Sequence, residues 1–102
     1  MKKVFISQPM KGREEIDIIN ERDAAIAALE DQFGEPVEEV HSYSPANKNG
    51  HPLTSLGMSI QCMAEADVAY FCDGWENARG CNIEHECAKQ YGIEVIEKQS
   101  VS

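Results

Sequence analysis

The sequence predicts an α/β protein, a three-layer sandwich in which helices cover both faces of a small, mostly parallel sheet of four to five strands. Short apolar runs of strand length alternate with amphipathic helical segments in the order βαβαβαβ, and such alternation is typical of a parallel sheet with right-handed crossovers. The 102 residues suffice for one domain. We assign residues 1–98 to this flavodoxin-like or Rossmann-like domain and residues 99–102 to a C-terminal tail.

The first half of the chain supplies a strand, a helix and a weaker strand. The apolar run Val4-Phe5-Ile6 ends before Pro9 and predicts a buried strand. Residues 37–43 form the weaker second strand. Between Gly12 and Gly34 apolar residues recur at helical spacing, and we expect them to form the buried stripe of an amphipathic helix: Ile16, Ile19, Ile26, Leu29 and Phe33.

The second half repeats the alternation after a loop at residues 44–54, where Ser, Pro, Asn and Gly accumulate. Thr54 or Ser55 is predicted to cap a helix that runs to Met63. The continuous apolar run 66–72 predicts a central parallel strand. Residues 80–91 form a third helix that ends at Gly92, and residues 93–96 form the last strand. In the third helix we expect a buried stripe with Glu84 at its border: Ile83, Cys87 and Tyr91.

Composition restricts the class of protein and its partners. The formal charge of −9 argues against binding a nucleic acid polymer, which requires a basic face. No apolar run approaches the ~20 residues that span a membrane, and the N-terminal apolar run is too short for an export signal. We therefore expect a soluble cytoplasmic protein with four reduced cysteines. Basic residues are nonetheless concentrated near the N-terminus and could bind a small anionic ligand. They are Lys2, Lys3, Lys11 and Arg13.

The topology predicts where a site forms. In open parallel sheets, ligands bind beyond the carboxyl ends of the strands, where the strand order reverses. Three segments should meet at that edge, namely residues 7–13, the loop after Tyr43 and residues 73–84.

Residues 72–92 could form one of three kinds of site: a zinc site, a nucleophilic cysteine or a catalytic carboxylate. Cys81 and His85 are four residues apart on one helix face, but a zinc site needs three or four ligands and no CxxC or HExxH motif accompanies them. A nucleophilic Cys81 would need a lowered pKa. Glu84 near a helix N-terminus is more often a favourable partner of the helix dipole than a catalyst. We expect no metal and no cofactor, and GxGxxG and GxxxxGK[ST] phosphate motifs are both absent.

Three segments of the chain, taken in their order, carry a family resemblance. "KKVFISQPMKGRE", "ADVAYF" and "DGWENARGCNIEHECAKQYGI" together resemble the small phage and bacterial proteins of the DUF4406 type, which are related to the nucleoside 2-deoxyribosyltransferase superfamily. The resemblance covers nearly the whole chain. Its most specific part is the spacing of Gly80, Glu84 and Ala88 after the strand that begins near Asp67.

The resemblance implies a 2-deoxyribosyltransferase-like fold and cleavage of an N-glycosidic bond in a nucleoside or nucleotide. Glu84 takes the place of the nucleophile that attacks the anomeric carbon, as in retaining glycosidases. The first βα loop would line sugar and base, or hold phosphate through Lys11 or Arg13 at a helix N-terminus. The further substrate-binding residues implied are Ser7, Gln8, Met10 and Gly12 in that loop, Ser59 and Asn77 at ribose or phosphate, Asp73 as a supporting residue, and Gly80 at the helix approached by the ligand. Trp75 or Met10 would lie against the base.

The chain departs from the superfamily pattern at three supporting positions. The first strand lacks a tyrosine, Ser59 stands where the enzymes have aspartate, and Ala78 stands where they have aspartate or serine. Two hypotheses follow: an N-glycosidic hydrolase or deoxyribosyltransferase supported by Ser59, Asp73 and Asn77, or a non-catalytic nucleotide-sensing module on the same fold. The resemblance and the open sheet edge also predict a homo-oligomer, a dimer or larger.

Overall fold

The computed structural model describes residues 1–40 and 51–98, and these contain four strands and three α-helices. Within the described residues, no helix is both long enough and apolar enough to cross a membrane. In the described segment after β3, a 3₁₀ turn, Trp75–Asn77, precedes the last helix. The elements are β1 (Lys2–Ser7), α1 (Glu15–Phe33), β2 (Val37–Val40), α2 (Pro52–Met63), β3 (Val68–Phe71), α3 (Arg79–Gln90) and β4 (Glu94–Glu97).

The four described strands form one parallel sheet in the order β2-β1-β3-β4, consistent with a Rossmann-like sandwich. The chain moves from β1 to β2 on one side and then crosses back to β3 on the other. The strand order therefore reverses between β1 and β3, where ligand sites of such sheets form. At this point the backbone N–H of Cys72 donates to the carbonyl of Ser7 over 2.9 Å. The predicted α/β architecture is confirmed at this level.

The side chains of β1 alternate between the two faces of the sheet, as the strand period requires. Val4 and Ile6 pack with Leu29 in the cluster beneath α1. Phe5 packs in the opposite cluster, with Met63 of α2 and Ala88 of α3. The alternation continues past the apolar run, so Ser7 lies on the α3 side of the sheet and Gln8 on the α1 side.

The predicted inner stripe of α1 is wrong at its N-terminal end. Ile16 and Ile19 are exposed, and the buried residues are Ile18, Arg22, Ala25 and Leu29. Both sets of residues have helical spacing, so the spacing alone does not decide which face packs against the sheet. Here buried Arg22 donates to Gln8 from the inner side of α1, and this polar contact replaces an apolar one. The helix ends as predicted, at Gly34 with a left-handed φ of 69°.

The start of α2 also differs from the prediction. The N-cap of α2 is His51 rather than Thr54 or Ser55, because its imidazole accepts a hydrogen bond from the Leu53 backbone N–H and Pro52 opens the helix. The second strand is described as far as Val40, and its predicted continuation at residues 41–43 lies outside the described residues, as does the predicted loop at 44–50. The predicted loop residues 52–54 belong to α2.

Candidate functional site

Helix α3 carries its buried stripe on a different face from the predicted one. The buried residues are Cys81, Glu84 and Ala88, whereas Ile83 is exposed and Tyr91 is 85% exposed. Both stripes have three- and four-residue spacings, so periodicity alone could not choose between them. Small Ala88 lets the helix lie against the sheet, and this orientation turns Glu84 inward. Glu84 is thus part of the packed face instead of its border.

The inward orientation joins Glu84 to the end of β1. The Ser7 hydroxyl donates to Glu84 Oε1 over 2.6 Å, and both residues are buried, with Glu84 8% exposed. The two residues are 77 positions apart in the sequence. Ser7 reaches the carboxylate because it follows Phe5 on the α3 face of the strand. The pair lies beside the β1–β3 switch point, where the topology predicts a site.

The carboxyl group of Glu84 is held in an environment that disfavours its charge. Burial raises its pKa from 4.5 to about 7, although the Ser7 hydroxyl and the Arg22 guanidinium act to lower it. A carboxyl group with a pKa near 7 changes protonation state under physiological conditions. Strongly shifted pKa values combined with a specific partner are typical of functional sites.

The raised pKa of Glu84 predicts a loss of stability with increasing pH. Below pH 4.5 Glu84 is protonated in both the folded and the unfolded state. Between pH 4.5 and 7 it stays protonated in the folded state but ionises in the unfolded state, so rising pH favours unfolding. A shift from 4.5 to about 7 therefore removes about 3 kcal/mol of folding free energy across that interval. We expect chemical denaturation to show wild type losing about this much relative to Glu84→Gln between pH 4 and pH 8.

The control for this measurement is Glu86→Gln, a change two residues away at an exposed position of the same helix. Its stability should follow the wild-type curve across the whole pH range. Identical pH dependence of wild type and Glu84→Gln would contradict the assignment of the shifted group to Glu84.

Cys81 lies beside the pair and has the electrostatics of an unreactive thiol. Burial raises its pKa to about 11, against a lowering contribution from the Ser7 hydroxyl, and the charge of Glu84 raises it further. The thiol therefore stays protonated at neutral pH, which disfavours the nucleophilic Cys81 considered from the sequence. Among the described residues, no group of three Cys, His, Asp or Glu side chains is arranged to hold a metal ion.

Gln8 follows Ser7 but belongs to a polar network on the α1 side of the sheet. Its Oε1 accepts from Arg22 Nη1 over 2.8 Å, and its Nε2 donates to Glu21 Oε1 over 2.8 Å. Arg22 is also paired with Glu39 of β2 over 2.6 Å. This network was not predicted from the sequence. The spacing of Arg22 from Ile18 and Ala25, four and three residues, was the available signal that it faces inward.

Arg13 is engaged in the same network. Its guanidinium donates to the Pro9 carbonyl over 2.8 Å and to Glu21 Oε1 over 2.7 Å. An anion bound by Arg13, as predicted, would therefore have to compete with the Glu21 carboxylate for the guanidinium. Its position instead fixes the loop that follows β1.

Trp75 contacts α3 at His85. Its ring stacks on His85 with centroids 4.1 Å apart, and His85 Nε2 lies 2.7 Å from Glu97 Oε2. These three side chains, with Glu76, Lys89, Val95, Ile96 and Lys98, line an open groove of about 970 Å³ at the carboxyl end of β4. Glu84 is not among the residues that line this groove.

The remaining predicted site residues are distributed over the first loop, α2 and the segment after β3. Met10 is exposed, Gly12 has a left-handed φ of 75°, and Ser59 is half-buried on α2. Asp73 and Asn77 are exposed in the segment after β3. That segment is held by a residue not predicted from the sequence, Asn82, whose amide donates to the carbonyls of Trp75, Glu76 and Ala78.

Gly80 packs near α2 rather than against an open space. A methyl group at this position would lie 3.9 Å from Leu56 Cδ1, an ordinary contact distance. The loops after β1 and β3 also touch, because a methyl group at Gly74 would lie 3.7 Å from Pro9 Cγ. Two of the three segments predicted to converge therefore meet, and the third, after Tyr43, lies outside the described residues.

Fold and site together define a small parallel α/β protein with a buried carboxyl–hydroxyl pair at the switch point of its sheet. The family model for a domain of unknown function, DUF4406, matches residues 2–97, and the chain belongs to that family. Searches of curated proteins and of solved structures gave no match.

Proposed function

We propose that the protein cleaves the N-glycosidic bond of a nucleoside or nucleotide, as a hydrolase or a deoxyribosyltransferase, with Glu84 as nucleophile. The observation that carries the proposal is the hydrogen bond between Ser7 and buried Glu84 beside the β1–β3 switch point. The resemblance to the 2-deoxyribosyltransferase-like superfamily supplies the substrate class, and Glu84 occupies the position of its nucleophile.

The proposed chemistry proceeds in two displacements. Ionised Glu84 attacks the anomeric carbon, the C–N bond breaks, and the base leaves with the bonding electrons and takes a proton from water. Water, or a second base, then attacks the anomeric carbon and frees the carboxylate. The Ser7 hydroxyl orients the carboxylate during both steps. Because burial removes water from Glu84, the ionised form is less hydrated and more nucleophilic than a surface carboxylate.

A second candidate function is nucleotide binding without catalysis. The specific observation in its favour is the open groove at the carboxyl end of β4, with the Trp75–His85 stack and two lysines along its wall. Aromatic rings and ammonium groups suit a base and a phosphate respectively. The groove excludes Glu84, so a ligand bound there would not need the carboxylate.

One assay separates the two functions. The protein is incubated with ribo- and deoxyribonucleosides and their monophosphates, and free base is measured by chromatography for wild type and Glu84→Gln. Base released by wild type and lost in the variant supports the glycosidase. Binding by calorimetry without release, equal in both proteins, supports the sensor and contradicts the proposed chemistry.

A further inference from the structure

Strand β1 ends in two buried polar residues that attach it to different helices. The Ser7 hydroxyl donates to Glu84 of α3, and the Ser7 carbonyl accepts from the backbone N–H of Cys72. The next side chain, that of Gln8, is bound to α1. Pro9 follows and has no backbone N–H with which to extend the sheet. The position of the Ser7 side chain therefore depends on how the chain is held at Gln8.

The Gln8 amide is fixed by three hydrogen bonds to α1. Its Nε2 donates to the Ile18 carbonyl over 3.2 Å and to Glu21 Oε1 over 2.8 Å, and its Oε1 accepts from Arg22 Nη1 over 2.8 Å. The Arg22 guanidinium is itself held by Glu39 of β2. Because a buried amide oxygen without a donor is costly, Arg22 keeps the Gln8 amide in this orientation.

The charge of Arg22 also acts on the α3 side of the sheet. Burial raises the pKa of the Glu84 carboxyl group, and the Ser7 hydroxyl and the Arg22 guanidinium both act to lower it. The neighbouring Cys81 thiol, with its own pKa raised by burial, adds no charge near neutral pH. Ser7 and Arg22 thus favour the same form of Glu84, which is the ionised form that attacks a sugar in the proposed reaction.

We propose that Arg22 is a positioning residue for the reaction at Glu84: by fixing Gln8, it holds the Ser7 hydroxyl on the Glu84 carboxylate. The inference rests on the proposed function, in which Ser7 orients the carboxylate during both displacements. Arg22 acts through Ser7 and does not contact the sugar. Its loss should therefore slow the chemical step and leave substrate binding unchanged, since misplacing a reacting group by about 1 Å can cost about 100-fold in rate.

The first test needs no substrate. The titration of Glu84 is followed by NMR of its carboxyl carbon in wild type, Arg22→Gln, Ser7→Ala and the double variant, and Glu84→Gln identifies the signal. Arg22→Gln should raise the titration midpoint in both backgrounds, because the guanidinium no longer favours the carboxylate. The rise should be at least about 0.4 pH unit larger when Ser7 is present, as expected for coupled residues. Equal rises in the two backgrounds would overturn the inference.

A second variant tests the same link with the charge of Arg22 in place. Gln8→Leu removes the contact between Arg22 and the end of β1 but leaves Arg22 paired with Glu39. It should also raise the Glu84 midpoint when Ser7 is present and leave it unchanged in Ser7→Ala. This variant decides the matter if Arg22→Gln does not fold, and an unchanged midpoint in the presence of Ser7 would contradict the proposed link.

The kinetic test is base release measured between pH 5 and pH 9. On the pH-independent plateau, Arg22→Gln should lower kcat at least about 10-fold and change KM less than about 2-fold. In the Ser7→Ala background the loss of kcat should shrink to less than about 2-fold. The matched control is Arg79→Gln, which removes the same charge from an exposed position of α3 and should follow wild type in titration and kinetics.

The outcomes separate this inference from the proposed function. A raised KM at unchanged kcat would show that Arg22 binds substrate, and equal losses of kcat with and without Ser7 would show that it acts independently of Ser7. Either result would overturn the inference. If wild type releases no base, the proposed function fails, and the titration of Glu84 alone decides whether Arg22 holds Ser7 on the carboxylate.

Discussion

Replacing Glu84 with glutamine is expected to reduce base release at least about 10³-fold while leaving the protein folded, in line with the loss measured when other nucleophiles are removed. Glutamine keeps the shape of the side chain, and its amide oxygen still accepts from the Ser7 hydroxyl. It has no carboxylate with which to attack the anomeric carbon. The measurement is single-turnover base release at pH 8, where the wild-type carboxyl group, with a pKa of about 7, is mostly ionised.

Two measurements distinguish loss of the nucleophile from misfolding or from the removal of any carboxylate on α3. The first is the control variant Glu86→Gln, which neutralises an exposed carboxylate of the same helix and should keep full activity. The second is stability: above pH 7, Glu84→Gln should be more stable than wild type, since it no longer buries a charge. An inactive and destabilised Glu84→Gln would point to misfolding, and an active one would exclude Glu84 as nucleophile.

Replacing Arg22 with leucine is expected to destabilise the protein by about 3 kcal/mol, the lower end of the cost of breaking one side of a buried ion pair, because the Glu39 side chain is 27% exposed. The Arg22 side chain is 9% exposed and lies 2.6 Å from Glu39 on β2. Without it, the Glu39 carboxylate loses its cation and the Gln8 amide oxygen loses its donor. The measurement is the free energy of unfolding from denaturant titration at pH 7.

The comparison for Arg22→Leu is Lys89→Leu. Lys89 also pairs with a glutamate, Glu86, but the two groups are 3.9 Å apart and more than half exposed. Exposed ion pairs contribute at most about 1 kcal/mol, so Lys89→Leu should cost no more than that. Equal and small losses for the two variants would show that the Gln8–Arg22–Glu39 network does not hold β1, α1 and β2 together.

The order of elements could be predicted from the sequence because β1 and β3 contain short apolar runs followed by a change in composition, and helical periodicity separates the strands. The run before Asp73 predicted the strand now seen as β3, and Gly34 and Gly92 marked the ends of two helices. In such segments, local pattern and tertiary packing favour the same structure. Pairing of every described strand in parallel then follows from the helical crossovers between them.

The side that each helix buries could not be predicted in the same way. On α3, a hydrophobicity rule selects Ile83 and Tyr91, yet the packed residues are Cys81, Glu84 and Ala88. The buried carboxylate is tolerated because Ser7, 77 residues earlier, donates a hydrogen bond to it. A pairing over that separation depends on how the sheet is assembled and leaves no trace in local spacing.

The most important error therefore concerns the site itself. From the sequence, Glu84 was expected at the border of the buried stripe. Glu84 instead lies on the packed face of α3, where burial raises the pKa of its carboxyl group to about 7 although the hydrogen bond from Ser7 acts to lower it. The same burial distinguishes it from Glu86, which is exposed on the same helix.

The most direct test of the central claim, that Glu84 attacks a sugar, is the mass of the protein during turnover. The protein is mixed with a deoxyribonucleoside that it cleaves, quenched in acid within milliseconds to seconds, and its intact mass and peptide masses are measured. The proposed mechanism predicts a deoxyribosyl adduct on the peptide containing Glu84, absent from Glu84→Gln and present in Glu86→Gln. Base release by Glu84→Gln at the wild-type rate, or an adduct on any other residue, would contradict it.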